Sequence, residues 1–275
     1  MQFDKTLHVV FTADNNYLIH WVVVLESLFT NNTDVRIVSH FVYDGIDEKK
    51  LEYIKNYFKN KFDRTIKFYK IDSSIMDTFK ISHHINKSTY FRLILSDILP
   101  KEIKKILFLD CDLIIENSLK ELVQKKFDKK TIIYAVNHFF KEEQKKHLIY
   151  FGIDKTANYF NAGVMLINLE KIRRNNTSKT LMDFAMKEKE KILWWDQDVL
   201  NVVFKDNWKE LHPKYNLIWE IIDSNLKEAQ EAKVSPTIIH FTRSVKPWHS
   251  NSYHPYKELY WKYRKRVEDI IKEIE

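Results

Sequence analysis

Glycine is almost missing from this chain of 275 residues: Gly45, Gly152 and Gly163 are the only three. They cannot make a GxGxxG fingerprint or a phosphate-cradling P-loop. A nucleotide phosphate bound here would need positive charge from elsewhere, a divalent cation foremost. The single cysteine, Cys111, excludes an internal disulfide and any zinc cluster built on thiolates. A metal would therefore be met by carboxylate and imidazole. Long apolar runs are also absent. Trp21 to Leu25 is as long as any, far short of the roughly 20 residues of a spanning helix. From Met1-Gln2-Phe3-Asp4 the chain enters a strand-like run, Leu7 to Ala13, with no signal-peptide pattern, so the expected location is the cytoplasm.

What is present is a chain with 44% apolar residues, enough for one substantial core. The net charge of +7 comes from lysines scattered along the whole length and balanced by nearby Glu and Asp, which reads as a solvated surface and gives no nucleic-acid face. Short β-rich runs alternate with helical patterns: His8 to Ala13, Leu18 to Phe29, Arg36 to Tyr43, Asp47 to Phe58, Ile66 to Ile71. Further strands are predicted at Lys105 to Leu109, Thr131 to Val136, Val164 to Asn168 and Thr237 to His240. The economical solution is an α/β fold with an open, mostly parallel sheet covered by helices on both faces. One domain over 1–250 is expected. Residues 251–275 form a basic, aromatic, amphipathic helix in which Tyr260, Tyr263, Val267, Ile270, Ile271 and Ile274 share a stripe. That helix can dock on the domain, meet an anionic membrane surface, or do both.

The sharpest chemical feature is Leu107-Phe108-Leu109-Asp110-Cys111-Asp112, an apolar strand ending in two carboxylates at i and i+2. At the carboxyl end of a strand in an open α/β sheet they project into the crevice where ligands bind. His240 ends a late strand, and Lys246-Pro247-Trp248 follows it. Two carboxylates and a neutral imidazole leave positions open on an octahedral Mn²⁺ or Mg²⁺ for phosphate oxygens, and a lysine adds a point charge to the same anion.

With these residues the chain resembles glycosyltransferase family 8, a GT-A fold family that includes bacterial lipopolysaccharide galactosyl- and glucosyltransferases and the glycogenins. The matches run in order: Thr12-Ala13-Asp14-Asn15-Asn16-Tyr17, Ser88-Thr89-Tyr90-Phe91-Arg92, Leu109 to Asp112, Tyr159-Phe160-Asn161-Ala162-Gly163-Val164, Asp196-Gln197-Asp198, and His240 to Trp248. The resemblance implies a GT-A type, Rossmann-like sheet and a UDP-hexose donor. Ala13, Asp14, Asn16 and Tyr17 would meet uracil and ribose. Asp110, Asp112 and His240 would hold Mn²⁺, with Mg²⁺ the alternative, Lys246 would hold the diphosphate, and Cys111 would be among the donor-binding residues. Arg92, Asn161, Asp196 and Gln197 would surround the donor sugar, and Gly163 would permit close packing. His83 and His84 would either line the acceptor side of the cleft or be surface residues before a helix. Arg243 stands where the family usually has a glycine, so either its guanidinium makes a substrate contact or the loop takes another path.

Family members retain anomeric configuration. No strong nucleophile stands at the matching place, which favours front-face substitution over a glycosyl-enzyme route through Asp196 or Gln197. The implied acceptor is a glycan or glycolipid such as lipopolysaccharide, met by a cytoplasmic protein in peripheral contact with the inner face of the membrane. The principal rival is a UDP-sugar-binding protein without transferase activity. A phosphatase built on DxDx[TV] is disfavoured because Leu113 is followed by Ile114 and the motif lies far from the N-terminus.

Overall fold

The computed structural model describes residues 6–79 and 87–275. The first half winds as the pattern predicts. Strand β1 (Thr6–Ala13) leads into helix α1 (Leu18–Thr30), β2 (Arg36–Tyr43) into α2 (Glu48–Phe62), and β3 (Thr65–Lys70) follows. Each helix returns the chain to a parallel neighbour, β1 pairing with β2 and β2 with β3. Asp47 caps α2 by accepting the Lys49 amide at 2.9 Å, and Leu51, Ile54 and Phe58 turn inward behind it.

The other strands are β4 (Lys105–Leu109), β5 (Leu113–Ile115), β6 (Ile133–Asn137), β7 (Phe160–Asn168), β8 (Trp208–Glu210) and β9 (Ile238–His240). Seven of them form one sheet in the order β3-β2-β1-β4-β7-β6-β8. It is parallel except where β7 runs backwards between β4 and β6. β7 begins at Phe160, well before the predicted Val164, because Asn161 and Gly163 break the apolar run that marks a strand in sequence. The short strands β5 and β8 carry too little pattern to be seen in sequence.

Both faces of the sheet are apolar, as helices on both sides require. Val9 and Phe11 of β1 and Leu107 and Leu109 of β4 pack toward α1 and α2. Val10, Ile106 and Phe108 pack the other way, against the helices Thr177–Lys187 and Trp195–Val203. The chain reverses sides between β2 and β4, which flank β1, so a crevice opens at the carboxyl ends of β1 and β4.

β5 and β9 make a separate two-stranded ribbon in which Leu113 lies opposite His240. The Phe241 amide donates to the Asp112 carbonyl at 2.9 Å. This ribbon brings a late histidine beside the early carboxylates.

The tail is not one helix but two, Lys257–Arg266 and Glu268–Ile274, divided at Val267. Lys61 Nζ and Tyr57 Oη both donate to the Arg266 carbonyl at the division. The whole predicted stripe, Tyr260 to Ile274, is buried against α1 and α2. Tyr260 Oη meets His20 Nδ1 at 2.8 Å, and the Asn31 amide donates to Tyr263 Oη at 2.7 Å.

If these helices are part of the core, Ile271→Ala should lower the unfolding free energy by about 2–5 kcal/mol, the range for emptying a buried Ile site. Urea denaturation measures it, and a change below about 0.5 kcal/mol would show that the tail is merely resting on the surface.

Candidate active site

A cleft of about 550 Å³ opens over the carboxyl ends of β1 and β4. Past Leu109 the chain leaves the strand, and the Asp110 amide donates to the Gly163 carbonyl of β7 at 2.9 Å. Asp110 and Asp112 turn their carboxylates to the cleft. Cys111 between them also borders it but sends its thiol inward, 3.8 Å from the Thr12 carbonyl, where burial raises the thiol pKa well above its ordinary value.

His240 Nε2 lies 3.2 Å from Asp112 Oδ1 and 3.7 Å from Asp110 Oδ2. One ligand atom from each of the three residues falls within 4.8 Å of the others. The network beyond them decides the imidazole's role. The Asn216 Nδ2 amide donates to Asn161 Oδ1 at 2.8 Å, so Asn216 turns its oxygen toward His240 Nδ1 at 2.9 Å. An acceptor there calls for Nδ1–H, leaving the Nε2 lone pair facing two carboxylates. Three electron-rich atoms aimed at one point, with the imidazole oriented from behind, fit a divalent cation.

Gly163 makes the convergence possible. A Cβ at this position would press into the His240 ring and lie 2.7 Å from Asp110 Oδ2. Lys246 Nζ closes the other side, donating to Asp112 Oδ2 at 2.6 Å and to the Phe241 carbonyl at 2.8 Å. Burial works to raise the Asp112 carboxyl, but the Lys246 ammonium prevails, joined by His240 whenever its imidazole is protonated, and holds it well below the usual carboxylate range.

The opposite wall belongs to the start of the helix Trp195–Val203. Arg92, expected beside the donor sugar, lies in a 3₁₀ segment with its side chain buried and its guanidinium 4.4 Å from the Phe108 ring centroid. It donates to Asp110 Oδ1 at 2.7 Å and to the carbonyls of Ala162 and Thr89. Its Nε is 3.0 Å from Asp196 Oδ2 but spends its hydrogen on Thr89, so that carboxylate oxygen has charge beside it and no hydrogen bond. Burial pushes the Asp196 carboxyl up to about 7, with Arg92 pulling it down and Asp110 adding to the rise. Gln197 Oε1 accepts from Asn161 Nδ2 and the Ala162 amide, both at 3.0 Å. A chain of buried amides thus links His240 through Asn216 and Asn161 to Gln197.

Tyr17 borders the cleft and meets Trp248 edge to face, ring centroids 6.1 Å apart. Ala13 lies beside it. Asp14 and Asn16 do not line the cleft. Asp14 closes an Asx turn, accepting the Asn16 amide at 3.0 Å and the Asn16 side chain at 2.9 Å. His83 and His84 lie outside the described residues. Arg243 keeps the backbone that a glycine would have, with φ of +73°. Its guanidinium turns aside, stacking 4.6 Å over Trp219 and pairing with Asp223 at 3.3 Å. The guanidinium therefore sits at the rim of the cleft.

Sequence reasoning missed several lining residues. His138, Trp194 and Trp195 border the cleft, and Asn216 stands behind it. Burial lowers the His138 pKa to about 3, so its imidazole is neutral. No local pattern marks any of them. Phe139, Trp195 and Arg243, at the rim or beside it, have positive φ. Such strain in bulky residues concentrates at functional sites.

The sequence model of glycosyl transferase family 8 matches residues 8–252. General stress protein A of Bacillus subtilis is 32% identical, covering 96% of this chain and 94% of its own. Lipopolysaccharide 1,2-glucosyltransferase of Escherichia coli is 28% identical over 89% of this chain and 74% of its own. Among solved structures, galactosyltransferase LgtC in complex with donor and acceptor sugar analogues superposes with a TM-score of 0.85 at 24% identity, covering 94% of this chain and 96% of that one.

Two outcomes test this geometry. Gly163→Ala should displace His240 and weaken divalent-cation binding at least about tenfold by calorimetry, with the far-UV spectrum unchanged. The folded Asp196 carboxyl holds its proton more tightly than an unfolded one near 3.8, so its stabilisation is complete below that value and is lost as pH rises through about 7. In chelator, Asp196→Asn should therefore gain on the wild type between acid and alkaline pH, by up to about 4 kcal/mol in urea unfolding.

Proposed function

This chain belongs to glycosyl transferase family 8, and from that premise we propose that it moves a hexose, galactose or glucose, from a UDP-sugar to a glycan or glycolipid acceptor with retention of configuration. The observation that carries the reading is the convergence of Asp110, Asp112 and His240 with Lys246 at one end of a cleft whose other end is polar. Those three ligands would hold Mn²⁺, or Mg²⁺ in its place, and the bound ion would neutralise the diphosphate as it leaves. Relatives whose names specify lipopolysaccharide glucosyl- and galactosyl-transfer support the donor and acceptor classes.

Tyr17 offers its ring to the uracil, next to Ala13. Asp14 and Asn16 would support this corner through their turn and meet the ribose from outside the cleft. Lys246 is the cation best placed to meet the departing phosphate, exchanging Asp112 for it. The sugar then lies against Arg92, Asn161, Asp196 and Gln197. Gln197 Oε1 already accepts two hydrogen bonds, and Asp196 is buried beside Arg92 with its proton affinity raised. Neither is poised as a nucleophile. This supports front-face attack, with UDP departing as a short-lived oxocarbenium-like species forms and a phosphate oxygen taking the acceptor's proton. Arg243 turns its guanidinium onto Trp219, so it does not fill the metal end of the cleft, which supports turnover over mere binding.

We place the protein in the cytoplasm, at the inner face of the membrane. Among the described residues no helix is long and apolar enough to cross a membrane. With the tail's apolar stripe buried, contact with anionic lipid would fall to Lys262, Lys265 and Arg266 and the half-exposed Trp261.

UDP release from UDP-galactose and UDP-glucose, with and without Mn²⁺, tests the reading. One donor should give metal-dependent turnover, and Asp112→Ala should lower it at least about 100-fold. Binding of UDP without turnover of either donor, also in the presence of glycan acceptors, would favour the binding protein.

A further inference from the structure

Asp198 never reaches the cleft. It is fully buried, yet its carboxylate accepts four hydrogen bonds. Oδ2 takes the backbone N–H groups of Leu193 and Trp194, both at 2.8 Å. Oδ1 takes Tyr159 Oη at 2.7 Å and His147 Nε2 at 2.9 Å. A carboxylate removed from water is costly unless such donors surround it. What these four donors accomplish is local. Two of them lie just before the helix Trp195–Val203, so a residue in the helix's first turn reaches back and grips the chain that enters it, much as a capping box does.

Directly after the gripped amides comes Trp195, the first residue of the helix, with φ of +45°. A bulky residue in the left-handed region persists only where its surroundings impose it. Asp198 holds the chain on the near side of Trp195. On the far side Asn201 Nδ2 donates to the Gln197 carbonyl at 2.9 Å, while the same side chain bonds the Phe160 amide and carbonyl of β7. Asp196 and Gln197, the two residues presented to the cleft, lie between these holds.

Resting on the hexosyltransferase reading above, we propose that Asp198 is a positioning residue for sugar transfer: it clamps Leu193 and Trp194 so that the left-handed turn at Trp195 presents Asp196 and Gln197 to the donor sugar. His147 and Tyr159 saturate its second oxygen and tie the clamp to the 142–151 segment and to the start of β7. Asp198 acts through the turn and touches no substrate. The nucleotide end, with Tyr17, Asp112, His240 and Lys246, is built on other elements, so the clamp governs the chemical step and leaves UDP binding alone.

The test uses the full chain with Asp198→Ala, Asp198→Asn and Tyr159→Phe. Three quantities are read: UDP affinity with Mn²⁺ by calorimetry, kcat for UDP release from the donor that the wild type turns over, and hydrogen exchange of the Leu193 and Trp194 amides. Misplacing a positioned group by about 1 Å costs on the order of 100-fold. Asp198→Ala should therefore lower kcat about 100-fold, with UDP affinity within about threefold of the wild type, and should expose both amides to exchange. Asp198→Asn should recover about tenfold of the lost kcat, because its amide oxygen can still accept both N–H groups. Should Asp198→Ala prove unfolded, Asp198→Asn and Tyr159→Phe carry the same comparison, each losing kcat with exchange rising only over 190–197. A folded Asp198→Ala with kcat within about threefold of the wild type would overturn the proposal, as would kcat and UDP affinity falling together. Absence of turnover in the wild type itself sinks the functional reading, and the exchange data then reduce Asp198 to a clamp with no catalytic part.

Discussion

Between the Asp110 carboxylate and the His240 imidazole there is room for a cation because β7 passes beside them at a residue with no side chain. With His240 Nε2 3.2 and 3.7 Å from the two carboxylates, the three side chains would be within reach of one shared cation. Everything else at this end follows from keeping that point open. The β5–β9 ribbon delivers His240, the Asp110 amide bonds to Gly163, and Asn216 fixes which face of the imidazole looks inward. Lys246 supplies the counter-charge for Asp112.

Two polar bridges then span the cleft floor. One runs from Asp110 through Arg92 toward Asp196, and the other from His240 through Asn216 and Asn161 to Gln197. Buried polar chains of this sort are worthwhile only when their members find partners, and here nearly all of them do. The exception is Asp196 Oδ2, buried beside Arg92 without a hydrogen bond. The bridges connect the metal end and the sugar end across the cleft floor, while each end is carried by its own elements. The left-handed residues Phe139, Trp195 and Arg243 sit where the wall must turn sharply into the cleft.

The tail shows how one sequence pattern serves two surfaces. Its apolar stripe completes the core over α1 and α2, with the buried Glu26–Lys61 ion pair nearby linking those helices. Its basic residues remain outside. An amphipathic helix read alone does not say whether its apolar side faces a lipid or its own protein, and here the protein takes it.

Much of this was legible in the amino-acid order, because it depends on local periodicity and on ordered motifs. The β1-α1-β2-α2-β3 winding, the carboxylate pair at the end of β4, His240, Lys246 and the Asp196-Gln197 segment could all be named in advance. Arg92 could be named but not understood, since only the packing of its 3₁₀ segment on β4 shows that it is buried between Asp110 and Asp196. Asn216, His138 and Trp194 carried no motif, and the grip of Asp198 on a turn before its own helix has no one-dimensional signature. The candidate residues, their charge and the family were decided by the sequence alone, because residue type and order suffice for them. Which side chains converge, which way Arg243 turns and what the tail covers were decided only by tertiary structure, because each depends on contacts between segments far apart in the chain.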